Sequence, residues 1–404
     1  MKGAVYIVGT FDTKAEELQY VARLIREAGL PAVRVDVGTR SDHAEVELDM
    51  CTVAGFHPEG AAAVLEAGDR GRAVTAMTEA LRRCLAGRDD IAGIIGLGGS
   101  GGTAIITPAM RMLPVGLPKL MVSTLASGDT SPYVDVSDIA MLFPVTDIAG
   151  LNRLSRVVLG NAAHAMAGMV LRRIEPGEDE RPHLGISMFG VTTPCVEHLR
   201  EQLDSQYECL VFHANGPGGR AMEALIDAGM LQVVADLTTT EAVDHLFGGV
   251  CTTGADRFDA MTRRGVPWIG SCGALDMVNF WAPATVPARY AHRKFHSHNA
   301  NVTLMRTTAD EMREAALWLA EKSNRSPGPV RWLIPEGGFS ALDAPGQSFH
   351  DPEADAAFID TLERHFVRSD RHRLIRLPLH INDPRFAAIV AEHVRELASA
   401  GSGG

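Results

Sequence analysis

Short apolar runs alternate along the chain with stretches whose apolar residues recur at helical spacing. This alternation marks parallel α/β units, because a strand buried on both faces reads as a continuous apolar run and its crossover helix as an amphipathic one. Strands are predicted at Ala4–Val8, Ala32–Val37, Ile91–Leu97, Leu120–Ser123 and Ala140–Phe143. Helices are predicted over Lys14–Ala28, with Leu18, Val21, Ala22 and Ile25 on one face and Gly29 as C-cap, and over Val74–Leu85, Thr103–Met112 and Ile148–Arg173. A long Gly-rich loop is expected from Gly38 to about Gly71. The polar stretch Glu175–Pro182 reads as a linker.

The pattern restarts beyond the linker. Strands are expected at His183–Met188, Cys209–His213, Val233–Asp236, Trp268–Ser271, Arg331–Ile334 and Leu374–Leu377, and helices at Pro194–Gln206, Gly219–Ala228, Asp310–Lys322, Asp355–Arg368 and Pro384–Ser399. Gly401–Gly404 reads as a frayed tail or an appended scar. The expected fold class is α/β: two Rossmann-like three-layer domains with mainly parallel sheets, over residues 1–178 and 183–400. A single barrel would need eight evenly spaced βα units, and the 38–71 loop and the linker break that spacing.

Composition narrows the choice. With 404 residues and 46% hydrophobic content, each half can bury a core. A net charge of −12 argues against nucleic acid as a partner. It leaves anionic ligands open, because Gly-rich amide nests bind phosphate even in an acidic protein. No membrane partner is expected, since no stretch reaches the roughly 20 apolar residues of a span, and the start lacks the features of a signal peptide. The six cysteines (Cys51, Cys84, Cys195, Cys209, Cys251 and Cys272) form no CxxC pair and read as reduced thiols of a cytoplasmic protein.

The strongest local signal for chemistry is Gly96-Leu-Gly-Gly-Ser-Gly-Gly-Thr103, between an apolar strand and a helix. Glycines let the backbone approach a ligand, and the free amides of a helix N-terminus attract an anion. The acidic residue of a dinucleotide fingerprint does not follow about 20 positions on, nor does the Lys-Ser/Thr of a P-loop. Two more strand-to-helix loops belong to the same sheet edge. In Thr10-Phe-Asp-Thr-Lys14, Asp12 or Thr13 can cap the helix and Lys14 can reach a phosphate. Ser123–Asp129 suits a sugar–phosphate contact or a Mg²⁺-bound water. Ligands of open α/β sheets bind outside the carboxyl ends of strands, where all three loops lie. The predicted nucleotide-binding residues are Thr10, Asp12, Thr13, Lys14, Gly98, Gly99, Ser100, Gly101, Gly102, Thr103, Thr124, Ser127, Gly128 and Asp129.

Of the 15 histidines, His43, His57 and His164 precede the linker and the rest follow it. Histidine suits proton transfer near neutral pH, so the reaction is expected in the second half. The catalytic candidates are His213, Cys272, His298 and His380. His213 leads into Asn215-Gly-Pro-Gly-Gly-Arg220, a second possible anion cradle built on Asn215, Gly218 and Gly219 with Arg220 as clamp. Asp236, Thr239, Glu241, Asp276 and Arg306 complete the predicted substrate site. His292, His296 and His298 lack the glutamate that zincins require, and no metal site is assigned. His298 with Arg306 reads instead as recognition of a carboxylate or phosphate.

Gly9-Thr-Phe-Asp-Thr-Lys14, Gly96–Thr103, Ser123–Asp129, His213–Met222, Asp236–Glu241, Trp268–Met277, His298-Asn299, Val302–Thr307 and His380–Asp383 together resemble the Tm-1-like family, also called UPF0261. The resemblance covers nearly the whole chain. It implies an ATP-binding N-terminal domain, two Rossmann-like domains and a dimer-type assembly, and it supplies no reaction. The reading that follows is a protein binding ATP or a related nucleotide, with Mg²⁺ as a possible companion ion. It would be an enzyme acting on a small anionic metabolite at a cleft between the halves. The alternatives are an acyl or C–C bond hydrolase run by the second half through His213, Cys272 or His380, and a non-catalytic nucleotide-binding inhibitor or interaction protein. The apolar breadth of the 148–173 helix adds an expectation of a homodimer or larger assembly.

Overall fold

The structure is a computed structural model that describes residues 3–39, 46–174, 177 and 179–401. His43, Glu175, Pro176, Glu178 and the tail after Gly401 lie outside them. The chain divides into two compact units, 1–177 and 178–404.

The first unit runs β1 (Ala4–Gly9), α1 (Phe11–Glu27), β2 (Ala32–Asp36), α2 (Met50–Ala54), α3 (Ala62–Leu65), α4 (Arg70–Ala86), β3 (Ile91–Gly98), α5 (Ser100–Arg111), β4 (Lys119–Ser123), α6 (Ser131–Val134), β5 (Ala140–Leu142) and α7 (Arg153–Leu171). Its sheet is parallel, in the order β2-β1-β3-β4-β5. β1 and β3 are buried along their full length, which is why they read as unbroken apolar runs. The helices α1 and α7 pack together over one face of the sheet, and α4 and α5 over the other. The chain reverses its direction of strand addition between β1 and β3, and the carboxyl ends of strands at such a reversal form the usual ligand crevice.

The stretch expected as one long loop contains α2 and α3, single short turns that composition alone hides. The helix expected from Ile148 begins at Arg153, because the Asn152 side chain caps it by accepting from the Leu154 and Ser155 N–H groups. By length and composition α7 is apolar enough to cross a bilayer. Its Leu159, Ala162, Ala163, Met166 and Val170 lie in the core of this unit, so it reads as a core helix. Leu154, Val157, Met169 and Leu171 remain exposed on its other side.

The second unit runs β6 (His183–Met188), α8 (Thr193–Leu203), β7 (Glu208–His213), α9 (Pro217–Asp227), β8 (Val233–Thr238), α10 (Thr240–Phe247), α11 (Asp259–Arg264), β9 (Trp268–Gly273), β10 (Met277–Phe280), β11 (Phe295–Asn299), β12 (Val302–Arg306), α12 (Ala309–Asn324), β13 (Val330–Pro335), α13 (Pro352–His365), β14 (His372–Leu377) and α14 (Pro384–Gly401). Six strands form a parallel sheet, β14-β13-β9-β8-β6-β7, and three form an antiparallel sheet, β10-β12-β11. The parallel order again reverses after its second strand, between β6 and β8. The antiparallel sheet was not expected. Its strands are four or five residues long, and on β11 every residue but His296 is exposed, so no continuous apolar run announces it.

Candidate functional site

A cavity of about 710 Å³ opens at the β1/β3 reversal of the first unit. One side is the loop after β1 with Thr10, Asp12, Thr13 and Lys14, and another is the amino end of α5 with Gly99, Ser100, Gly101 and Gly102. Facing these are Val64 and Leu65 from α3, and Asp69, Arg70 and Val74 at the start of α4. Gly99 is the N-cap of α5, and among the described residues no side chain caps that helix. The first backbone N–H groups of such a helix lack intrahelical acceptors, and the helix dipole makes them attractive to an anion.

The glycines of this run have different jobs. A Cβ at Gly98 would stand 2.9 Å from the backbone of Gly102 and Thr103, so Gly98 serves the tight strand-to-helix turn. At Gly99 the nearest atom would be Thr124 Oγ1 at 3.7 Å, and at Gly101 it would be Arg70 NH2 at 3.7 Å. These two glycines border open space. Thr103 lies behind the cavity, buried, with its hydroxyl donating to Gly99 O at 2.8 Å and 2.7 Å from Ser123 Oγ.

Several expectations for this unit change. Neither Asp12 nor Thr13 caps α1: the Phe11 N–H donates to Asp36 Oδ1 at 3.1 Å, and the Thr10 and Thr13 hydroxyls bond each other at 2.8 Å. The Lys14 ammonium donates to Ile148 O at 2.8 Å, which tethers it to the loop before α7. Ser127, Gly128 and Asp129 do not line the cavity. Asp129 accepts from the Ser131 N–H and hydroxyl, at 3.0 and 2.6 Å, and the Ser131 bonds lower its pKa. Arg70 was missed because the residues before Val74 read as loop. The one available signal was Asp69, a helix N-cap residue whose carboxylate accepts from the Arg72 N–H.

The second predicted cradle is filled by the protein itself. Glu241 Oε1 accepts from the Gly216 N–H at 2.7 Å and the Gly219 N–H at 3.2 Å, at the amino end of α9. A Cβ at Gly219 would stand 2.1 Å from Glu241 Oε2, so that glycine makes room for a carboxylate of the same chain. A Cβ at Gly218 would meet His213 O at 1.8 Å, and Asn215 Oδ1 accepts from the Gly218 N–H at 3.4 Å. The buried Arg257 guanidinium donates to Glu241 at 2.8 Å and to Glu223 at 3.1 Å, and its NH2 lies 2.7 Å from Asp236 Oδ2. Burial raises the pKa of Glu241 and of Glu223, and Arg257 opposes the rise in both. Asp236 and Glu241 are thus structural partners of Arg257 rather than substrate ligands. Thr239 is likewise buried, its hydroxyl donating to Ser271 O at 2.8 Å. Arg220 is exposed on α9.

The catalytic candidates separate by environment. Cys272 is fully buried, and burial holds its thiol well above the usual range, so no thiolate nucleophile is available. His380 Nδ1 accepts from the Asn382 N–H at 3.0 Å and Nε2 lies 3.0 Å from Ser340 O, so both ring nitrogens are engaged with backbone. His298 is exposed on β11. The β11–β12 register places it beside the 299–302 turn and leaves Arg306 at the far end of the pair, so the two do not act together. His213 is exposed at the end of β7, stacked on Phe189 with ring centroids 5.1 Å apart, and partial burial lowers its pKa. Among the described residues no group of His, Cys, Asp and Glu is arranged to hold a metal.

Arg306 belongs to a second buried network. It donates to Phe349 O and to Asp355 Oδ1, both at 2.7 Å, and lies 3.9 Å from Asp343 Oδ1. Asp276 is fully buried beside it and accepts from the Ser340 hydroxyl at 2.7 Å. Three carboxylates therefore share one guanidinium. Burial first, and the Asp343 charge second, push Asp276 up to about 7 and Asp355 up to about 8. Both values lie above the ordinary aspartate pKa of about 4. The stability these groups contribute is complete below that ordinary pKa and is lost as pH rises through about 7 to 8. We expect the unfolding midpoint of the second unit to fall as pH rises from about 4 to about 8 and to level off above that, with a slope of at most about 1.4 kcal/mol per pH unit per proton. Asp355→Asn should flatten that slope, as read by tryptophan fluorescence in urea at several pH values. An unchanged slope would contradict the assignment.

Residues 3–175 match the description "Uncharacterised protein family (UPF0261) N-terminal domain" and residues 181–398 match "Uncharacterised protein family (UPF0261) C-terminal domain". A UPF0261 protein of Rhizobium meliloti (strain 1021) is 56% identical over 98% of this chain and 99% of its own length. The ToMV resistance protein Tm-1 of Solanum lycopersicum is 40% identical over 98% of this chain and 56% of its own length. A solved structure of UDP-N-acetylglucosamine 2-epimerase from Rickettsia bellii aligns over 99% of this chain and 96% of that one. At 10% identity and a TM-score of 0.24, that overlap carries no inference.

Proposed function

We propose, for a chain that belongs to the UPF0261 family through both of its domains, that the first domain binds ATP or a related nucleotide. The observation that carries this reading is the cavity at the β1/β3 reversal, with an uncapped helix N-terminus on one side and an apolar wall on the other. Its volume falls within the roughly 300–1,000 Å³ of small-molecule sites. Phosphate oxygens would accept from the N–H groups at the start of α5, and the base would pack on Val64, Leu65 and Val74. Among the described lining residues, the three carboxylates Asp12, Asp69 and Asp147 outnumber the two cations Lys14 and Arg70. That balance favours a polyphosphate accompanied by Mg²⁺, which neutralises part of its charge.

For the second domain, the reading that fits is recognition of a small anionic metabolite with His213 as the proton-transfer group. His213 is exposed, and among the described residues its ring nitrogens form no hydrogen bond. A cysteine hydrolase loses its support with the burial of Cys272. Calorimetric titration of the intact chain with ATP, with and without Mg²⁺, tests the central reading. We expect one site per chain with a micromolar Kd, tighter with Mg²⁺. No heat and no thermal shift at nucleotide concentrations up to about 1 mM, where even a weak site of about 4 kcal/mol would be half filled, would overturn it.

A further inference from the structure

The first-domain cavity contains a cation that its sequence motif does not point to. Lys14, the lysine of the loop after β1, is committed: its ammonium donates to Ile148 O at 2.8 Å. Arg70 differs in every respect that matters for a ligand. It is the first residue of α4, it is exposed, and it lines the cavity. Its NH2 stands 3.7 Å from the position of a Cβ at Gly101, beside the first turn of α5. The neighbouring carboxylate, Asp69, accepts from the Arg72 N–H at 3.0 Å and so serves the amino end of α4. Among the described residues the Arg70 guanidinium has no hydrogen-bond or ion-pair partner.

The second domain shows what such an arrangement holds when it is occupied. There one carboxylate, that of Glu241, takes the Gly216 and Gly219 N–H groups on one oxygen and the Arg257 guanidinium on the other, at 2.8 Å. Helix amides and one N–H of an arginine together hold one anionic group. In the first domain the amides and the arginine are present beside a cavity, and among the described residues no carboxylate of the lining accepts from those amides.

We infer that Arg70 is the specificity-determining cation of the first-domain site, selecting ligands that carry a di- or triphosphate over those with a single phosphate. The inference rests on the nucleotide reading of the cavity. A single phosphate can be satisfied by the start of α5 alone. A longer chain places a further phosphate beside the arginine, whose planar fork matches two phosphate oxygens at once. Lysine keeps the charge and loses the fork, so it should restore only part of the effect.

The test is calorimetry of the intact chain with ATP and with AMP, in the presence of Mg²⁺, for wild type, Arg70→Gln and Arg70→Lys. We expect Arg70→Gln to weaken ATP by at least about tenfold and AMP by less than about threefold, with Arg70→Lys between wild type and Arg70→Gln for ATP. The melting temperature should be unchanged, because the side chain is exposed. If wild type binds ATP and Arg70→Gln binds ATP equally well, or loses ATP and AMP by the same factor, the selectivity assigned to Arg70 is wrong and the site stands. If wild type binds neither nucleotide, the reading of the cavity itself is wrong.

Discussion

In Gly99→Val, ATP affinity falls by about 100-fold or more while thermal unfolding stays within about 2 °C of wild type. Gly99 has φ −79° and ψ −158°, extended backbone that any residue adopts. The nearest heavy atom to its Cβ would be 3.7 Å away, so the fold has room for the side chain. That room is the mouth of the cavity, where a phosphate approaches the start of α5. A branched side chain there keeps the ligand off the amides without disturbing the helix. Gly98→Ala supplies the opposite control, because its Cβ would stand 2.9 Å from backbone that cannot withdraw. Calorimetry and a melting curve on both variants separate lost binding from lost folding. Wild-type affinity in Gly99→Val would place the ligand elsewhere.

Arg257→Met destabilises the second domain by about 3–5 kcal/mol, the usual cost of leaving a buried charge network without its counterion. Three carboxylates, from Glu223, Asp236 and Glu241, converge on this one guanidinium, which is itself wholly buried. Methionine fills most of the space and neutralises none of the charge. Acid should reduce the loss, since Glu223 and Glu241 already have raised pKa values and become neutral as pH falls. All four tryptophans, Trp268, Trp281, Trp318 and Trp332, lie in the second domain, so fluorescence in urea reports that domain alone. Phe258 carries the guanidinium on its ring at 4.1 Å and stacks on Trp268, which makes the signal sensitive to this site. A shift below about 1 kcal/mol, the range of an exposed ion pair, would show that the network is not buried in solution.

The parallel strands and the glycine run before α5 were legible because both are local: an unbroken apolar stretch, and small residues where a strand turns into a helix. What the sequence hid is tertiary. Gly98–Gly102 and Gly216–Gly219 carry the same signal, and only the approach of Glu241, 22 residues beyond Gly219, shows that the second cradle is already occupied. Arg70 belongs to a different crossover from α5, and nothing between residues 70 and 100 marks their meeting. Cys272, Arg306 and His380 have residue types suited to chemistry, but burial and backbone partners decide their roles, and neither is written in spacing. His213 is exposed at the end of β7 and stacked on Phe189. The antiparallel β10-β12-β11 sheet escaped because its strands are only four or five residues long, too short to count alternations, and β11 is exposed.

Hydrogen–deuterium exchange on the intact chain, with and without saturating Mg²⁺–ATP, locates the nucleotide without any substitution. Exchange should slow in peptides covering 99–103 and 69–74 and stay unchanged in those covering 216–220, where Glu241 already holds the amides. Protection at 216–220, or none at 99–103 while ATP is bound, would contradict a nucleotide site at the start of α5.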